Sequence, residues 1–545
     1  MDHWERQIKL HCDELSYQAY RRSGRLAREV LSAVDVVGAS YHDLARPRSM
    51  KLGIPDSGYD ISDFNFHRII LDECHEIKNP KSQTAQAMFS LKAKYKWCCS
   101  ATPIPNGSQE MYSYMKFLGV EHSETLTDWN VFYRQRAKNG TNNLEKLLRK
   151  LMLRRTEQAT FFNQPVIDVP AKNILPPVEV EFSEEEEIIY NVIKRHYRSA
   201  INEQLEANPA LAKRQTVFAK VHRLRQATAH IYLAENVLRD DFDLNQIRDM
   251  LEKLHDPASR FAFLRQFRDV CQVIETSKAE AGPTAVQVNI DPQLRMLEKI
   301  KEKIEKNCPA CGKEPLAEIM KTECGHIWHQ ACLDRKTVLD WQEAAPNDKI
   351  IIFTQWYTLA RIVGRVLEDE GIGFAYLYGE MDLGQRLRTV ETFKSVDTVK
   401  VLVASLKCGG QSLDLTCASR VILVDLWWNL DVENQAFARV YRLGQKKETH
   451  FARIIVKNSV DEKLMEIQKS KGKEIDQMLK EFDPTAPKMT SLELANIFGR
   501  VKELANGNFR ILSDDEDESD EDQSSAEDDE DMHDTSTSCI DAKQG

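Results

Sequence analysis

The sequence has no apolar run approaching the length that crosses a bilayer, which excludes a transmembrane helix. Its first residues, Met-Asp-His-Trp-Glu-Arg, lack the apolar core of a signal peptide, so an intracellular protein with no membrane partner is expected. Cysteine is sparse: twelve residues in 545 are too few and too scattered for a disulfide framework. A surplus of positive charge is missing too, and a formal net charge of −11 at first argues against a nucleic-acid partner. Fourteen of the 85 acids, however, fall in 513–534, a stretch without Lys or Arg. The other 71 acids stand against 74 bases, and a body of charge +3 permits a local basic stripe.

What is present is ordinary globular material, 42% hydrophobic and 29% charged. The length exceeds what one core organises, so three or four domains are expected. The most informative stretch is 67–80. Arg68-Ile-Ile-Leu71 is a short apolar run of the kind a buried parallel strand shows, and it ends in two carboxylates, Asp72 and Glu73. Acids at the carboxyl end of such a strand face the ligand crevice. In nucleotide hydrolases the first acid holds Mg²⁺ and the second orients the attacking water, although a strand running out into a solvated turn would show the same residues. About a helix length later, 96–99 predicts another strand, closed by Ser100, Ala101 and Thr102 and broken by Pro103 and Pro105.

Asp72-Glu-Cys-His75 followed by Ser100-Ala-Thr-Pro103 resembles motifs II and III of superfamily-two helicases. The continuations Glu76-Ile-Lys-Asn79 and Ile104-Pro-Asn106 narrow the resemblance to the Swi/Snf family of DNA-dependent ATPases. From 348 onward strands and helices alternate, as a doubly wound lobe requires. There, 349–356 resembles motif IV and 399–410 motif V, where Lys407, Gly409 and Gly410 would let backbone approach DNA phosphate or nucleotide. The stretch departs from the family at Ser412, in a glycine position, and at Asp414, where an amide is usual; either change could weaken coupling. Residues 433–445 resemble motif VI, with Arg439 and Arg442 three apart on one face of a predicted helix, and with Gln435, Gly444 and Gln445 in register. A guanidinium pair there could offset charge on a transferring phosphoryl group; an arginine pair on a solvated helix is the plain reading.

Between the lobes lie Cys308, Cys311, Cys324, His326, His329 and Cys332, whose order looks like the first six ligands of a RING finger and points to zinc. In that scheme Cys308, Cys311, His329 and Cys332 complete one site, while the second holds only Cys324 and His326. The final Cys-x₂-Cys pair is absent, which weakens a ubiquitin-ligase reading and a ubiquitin-conjugating partner. A module at this place points, within the family, to the helicase-like transcription factor and postreplication-repair group.

The resemblance implies an α/β protein of two RecA-like parallel-sheet lobes, the first incomplete, with a helical and zinc-binding insertion and an acidic disordered tail. The expected boundaries are 1–170 for the partial first lobe, 171–306 for the helical bridge and 307–335 for the zinc module. The second lobe is expected over 345–480, a linker with one weak amphipathic helix near 491–504 over 481–512, and the tail over 513–545. It further implies a nuclear, ATP-driven translocase on double-stranded DNA in chromatin remodelling or repair, with histones or repair proteins as further partners. Asp72 would hold Mg²⁺, Glu73 would position water, and His75 and Gln435 would touch the nucleotide. Arg439 and Arg442 would stabilise the transition state, and 100–102 would couple the lobes. The family's phosphate-binding loop, Gly-x-Gly-Lys-Thr or Ser, is not found in the sequence. The chain is therefore expected to begin inside the first lobe, as a fragment, a shortened gene model or a paralogue without this part. The rival reading is a catalytically inactive DNA- or chromatin-binding protein, or a zinc-dependent interaction protein, derived from such a motor.

Overall fold

The computed structural model describes, with short breaks, residues 2–45, 61–101, 110–134, 143–207, 214–254, 338–481 and 491–513, together with isolated positions in 264–272. The amino-terminal lobe carries two parallel strand pairs, β1 (Tyr17–Tyr20) with β2 (Val36–Ala39), and β3 (Asn65–Leu71) with β4 (Lys92–Cys98). Residues 1–34 do not form a single helix, although they are rich in Arg, Glu, Leu and Ala, which favour one. Helix Asp2–His11 gives way to β1, because Ser16 and Asp35 latch the strand starts together. The Ser16 hydroxyl donates to the Asp35 carboxylate (2.6 Å), which also accepts the Ser16 N–H (2.9 Å).

β3 is not the fully buried strand its apolar run suggested: only Leu71 is buried, and Ile70 is 58% exposed. Burial is concentrated at the strand's carboxyl end and beyond it, where Leu71, Cys74 and Ile77 enter one core with Ala85, Met88 and Phe117. Helix Gln83–Ser90 supplies Ala85 and Met88, and it starts where the Ser82 side chain accepts the Ala85 N–H (3.1 Å). The acids after Leu71 thus sit on the best-packed end of the strand.

The second lobe is a seven-stranded, wholly parallel sheet. β7 (Lys172–Ile174) and β8 (Val178–Val180) precede it in sequence, and β9 (Ile350–Thr354) lies at its centre with every residue buried. The chain runs outward to β10 (Gly373–Leu377), returns to β11 (Val399–Ser405), then crosses to β12 (Arg420–Leu423) and β13 (Thr449–Val456). This gives the order β10-β11-β9-β12-β13-β7 with β8 also on β13, a doubly wound α/β sheet of the RecA-like kind. The segment 172–180 therefore belongs to this lobe's sheet: Lys172 pairs with Thr449 and Val178 with Ile454.

Helices Glu184–Ala207, Arg214–Ala229, Ile231–Asp241 and Leu244–Lys253 form a helical bridge between the strands β8 and β9. The 491–512 segment is not a linker. Leu494, Ala495, Ile497 and Phe498 enter the bridge core, and a hairpin of β14 (Val501–Glu503) and β15 (Phe509–Ile511) is held edge-on by Asn202. That side chain accepts the Ile511 N–H (2.7 Å) and donates to the Ile511 carbonyl (3.0 Å). Helix Ser491–Ala495 falls where the weak helix is expected, whereas two three-residue strands are too short to be legible from periodicity, and the stability of all three comes from this docking. The zinc-ligand stretch, 308–332, and the acidic tail beyond 513 lie outside the described residues.

One buried charge cluster ties the bridge to the second lobe. Arg225, 3% exposed, donates to the Leu426 carbonyl and lies under the rings of Trp427 and Trp428, 5.8 and 5.0 Å from their centroids. Asp425, Asp461 and the fully buried Glu433 supply the opposing charge. Glu433 accepts from the Trp427 N–H (2.9 Å), Gln468 (2.8 Å) and Arg453 (2.9 Å). Removing Arg225 strands acids already out of water. Arg225→Ala is expected to lower the stability of the lobe by ~3–5 kcal/mol, read as a lower denaturant midpoint. Burial also pushes Asp425 up to about 6 and Asp461 up to about 7, so the folded state keeps protons that the unfolded chain has released. Stability from these groups is full below about pH 4, the ordinary aspartate value, and is lost as pH rises through the folded values. The melting temperature should fall across that window, and less steeply in Asp461→Asn.

Candidate active site in the cleft between the lobes

The acidic wall begins where β3 ends. Glu73 takes left-handed backbone angles (φ 51°, ψ 51°), an uncommon choice for a residue other than glycine, and the chain then turns into the short helix Cys74–Ile77. Two backbone hydrogen bonds lock this turn to the end of β4. The Cys99 N–H donates to the Leu71 carbonyl (2.8 Å), and the Cys74 N–H donates to the Cys99 carbonyl (2.9 Å). The Glu73 N–H meets Asp72 Oδ1 (3.1 Å), the Trp4 indole N–H donates to Asp72 Oδ2 (3.2 Å), and the Tyr41 hydroxyl donates to the Asp72 carbonyl (2.8 Å).

His75 stands between the two expected motifs. Its Nδ1 lies 3.3 Å from Glu73 Oε2 and 3.5 Å from Ser100 Oγ, and Nε2 is 3.9 Å from Glu76. Contact with the His75 ring holds the Glu73 carboxyl below the usual carboxylate range against the opposing pull of burial, and Arg439 pushes in the same direction as His75. His75 therefore touches the acid and the coupling segment, a placement the spacing alone did not give. Ala101 follows Ser100 and is exposed.

The basic wall comes from the second lobe. Helix Leu430–Phe437 carries Gln435 and then stops, so Arg439 and Arg442 stand in the turn beyond it and not on a helix face as expected. The reason is local. The Arg439 and Val440 N–H groups bond three residues back, to Ala436 (3.1 Å) and Phe437 (3.0 Å), and the Arg439 carbonyl is taken by the Leu415 N–H (3.0 Å). Gly444 takes φ +99°, which lets the chain double back and sends Gln445 inward. Buried Gln445 then staples the turn, donating to the Ala418 (2.8 Å) and Val440 (3.1 Å) carbonyls while accepting the N–H groups of Lys446 (2.9 Å) and Lys447 (3.0 Å).

Arg439, Glu73, Asp72 and Arg442 share one electrostatic field. Burial lowers the Arg439 pKa and Arg442 lowers it further, while Glu73 and then Asp72 across the cleft raise it. Arg442 Nη1 is buried with no hydrogen-bond partner among the described residues. An unsatisfied guanidinium nitrogen in such a place is costly and fits an anion bound between the walls. Paired carboxylates opposite paired guanidinia fit a phosphate chain carrying a divalent cation.

Several expected residues lie outside the described ones: Thr102, Lys407, Gly409, Gly410 and Ser412. Asp414 is described, and its charge is neutralised within its own lobe. It caps Thr416 (N–H 3.2 Å, hydroxyl 2.8 Å) and pairs with Lys394 (3.1 Å). The positioning roles of Trp4, Tyr41, Arg225 and Gln445 were not read from the sequence. Gln445, through its place in motif VI, and Arg225, within Arg223-Leu-Arg-Gln226 that resembles the family's bridge segment, had a signal that could have revealed them. Among the described residues no group of three or more His, Cys, Asp or Glu could hold a metal, and no helix is long and apolar enough to cross a membrane.

Comparison with known proteins supplies the context for this cleft. The SNF2-related domain family matches residues 1–233, and the helicase conserved C-terminal domain family matches 331–444. The DNA repair protein RAD5 of Gibberella zeae is 27% identical over 482 residues, covering 74% of this chain and 40% of the relative. RAD5A of Arabidopsis thaliana is 26% identical, covering 90% and 51%. The helicase-like transcription factor of Homo sapiens is 26% identical, covering 84% and 47%. The chain thus spans about half the length, or less, of these relatives. Among solved structures, the Sulfolobus solfataricus SWI2/SNF2 ATPase core in complex with double-stranded DNA is 19% identical with a TM-score of 0.32, covering 91% of this chain and 84% of that one. The two matched domains follow one another in the order of the two walls of the cleft, and the chain carries an SNF2-related domain followed by a helicase conserved C-terminal domain.

Proposed function

We propose that the cleft hydrolyses ATP in response to double-stranded DNA, as the motor of a nuclear repair or chromatin-remodelling translocase. The observation that carries this reading is the placement of Arg439 against Glu73 and Asp72, one lobe's guanidinium facing the other lobe's acids. A γ-phosphate between these walls meets both arginines, and Arg442 Nη1 gains the partner it lacks. Glu73, ionised by its contact with His75, accepts hydrogen bonds from an attacking water and orients it in line. Arg439 and Arg442 stabilise the charge spread over the equatorial oxygens. Asp72 would hold Mg²⁺, which would supply further charge neutralisation on the phosphates. His75 spans Glu73 and Ser100, so movement of 100–102 on DNA would reach the acid through one ring. Gln435, one helical turn before Arg439, is assigned to the nucleotide.

DNA as partner is carried over from the relatives, which are DNA repair proteins by name, and from the exposed basic stretch at 146–155. Zinc is assigned to Cys308, Cys311, His329 and Cys332 by ligand spacing, with Cys324 and His326 beside them. Histones, repair proteins and a ubiquitin-conjugating enzyme are further candidate partners in descending order of support.

Glu73→Gln is expected to reduce DNA-stimulated ATP turnover by at least about 10²-fold, and Arg442→Ala by about 10³-fold, with nucleotide binding retained in the first. Both are read as phosphate release with and without duplex DNA. Turnover by the parent chain that survives both substitutions would sink the assignment, and DNA binding without turnover would favour the inactive derivative. Elemental analysis of the purified chain should show about one equivalent of zinc, lost on Cys308→Ser; a zinc-free parent would remove the metal assignment.

A further inference from the structure

Beyond the cleft, the segment after the basic helix Asn143–Leu151 ends in a two-stranded hairpin, β5 (Thr160–Phe161) with β6 (Gln164–Pro165). Its two-residue loop is Phe162-Asn163, and both have positive φ, 49° and 61°. A tight hairpin loop needs left-handed angles at both central positions, which suits Asn163 and disfavours a bulky side chain. Phe162 is nevertheless there, 87% exposed, with Phe161 beside it at 70%. The two rings meet edge to face, centroids 4.5 Å apart at 69°. A strained loop that spends its least suitable position on an aromatic ring, and holds that ring in water, is difficult to explain by packing.

The surroundings say what the rings suit. Arg154 and Arg155 line a cavity of about 370 Å³ with Ala159, Thr160, Phe161 and Val166, so cations and an aromatic ring share one recess. Lys146, Arg149, Lys150, Arg154 and Arg155 are all exposed and lead toward it, and 143–166 holds these five basic residues against two acids. Cationic tract and exposed rings together match a polyanion with flat apolar groups. The side of an intact duplex offers phosphates but no free base face; an unstacked base offers both.

We propose that this hairpin is a DNA contact separate from the cleft, which takes an unstacked nucleobase on Phe161 and Phe162 while Arg154 and Arg155 hold the adjoining phosphate. The site would let the motor distinguish forked or gapped DNA from continuous duplex. The inference rests on the DNA-binding reading above and deepens it.

The test uses the full chain, a blunt duplex, and a fork of equal length with 2-aminopurine at the unpaired base next to the junction. The variants are Phe161→Ala with Phe162→Ala, Phe162→Trp, and Arg154→Gln with Arg155→Gln. The double alanine variant should bind the fork about tenfold more weakly and lose the stacking quench of 2-aminopurine, with duplex affinity and melting temperature unchanged. Phe162→Trp should keep both, and the arginine variant should weaken both DNAs with a shallower salt dependence. If the alanine variant keeps the fork affinity and the quench, or loses fork and duplex equally, this inference falls and the DNA-binding reading stands. A parent chain that binds neither DNA overturns the DNA-binding reading and this inference with it.

Discussion

The electrostatic attraction between Arg439 and the acids Glu73 and Asp72 across the cleft is the interaction on which the rest of the molecule depends. It sets cations from one sheet against acids from another, and neither wall has a chemical use without its counterpart. Asp72 is exposed, but Glu73, Arg439 and Arg442 are drawn partly out of water, where charges act strongly on one another and an unpaired one is costly. Arg442 stands in that condition, with one guanidinium nitrogen unsatisfied among the described residues. A buried guanidinium nitrogen without a partner is a condition that a bound anion would relieve.

Holding such groups in place requires stiff backbone, and the two lobes achieve it differently. On the acidic side, main-chain bonds between Leu71, Cys74 and Cys99 weld two loops into one unit, and the left-handed Glu73 is fixed between them. On the basic side, the helix stops short of the arginines, and a single amide, Gln445, makes four hydrogen bonds that shape the turn presenting them. The bridge adds a third constraint. Arg225 reaches from helix Arg214–Ala229 under Trp427 and Trp428 into a cluster of buried acids, so the second lobe and the bridge share charges as well as apolar surface. The Ser-for-Gly and Asp-for-Asn departures in motif V looked like damage to coupling. For Asp414 the local pairing with Lys394 and Thr416 shows how one of them is absorbed.

The alternation of strands and helices after 348 and the central apolar strand Ile350–Thr354 were legible from periodicity. The elements that were not legible are short or lie at junctions. β1 exists because Ser16 meets Asp35 nineteen residues away, β7 and β8 because β13 offers an edge, and the hairpin of β14 and β15 because Asn202 binds its backbone. None of these causes lies within a window of neighbouring residues, so no local pattern could carry it.

By itself the sequence determined which chemical groups are available and in what local company. A strand ending in Asp72 and Glu73, a hydroxyl segment beginning at Ser100, and a glutamine-arginine stretch ending at Gln445 are properties of consecutive residues, and backbone periodicity makes them readable. Only the tertiary structure decided that His75 would join Glu73 to Ser100, that Arg439 would face the acids from a turn and not from a helix, and that Phe161 and Phe162 would stand in water beside two arginines. The physical reason is common to all three. Each depends on the distance between groups remote in sequence or on where a helix is cut short, and those are set by packing and by long-range hydrogen bonds that no local stretch encodes.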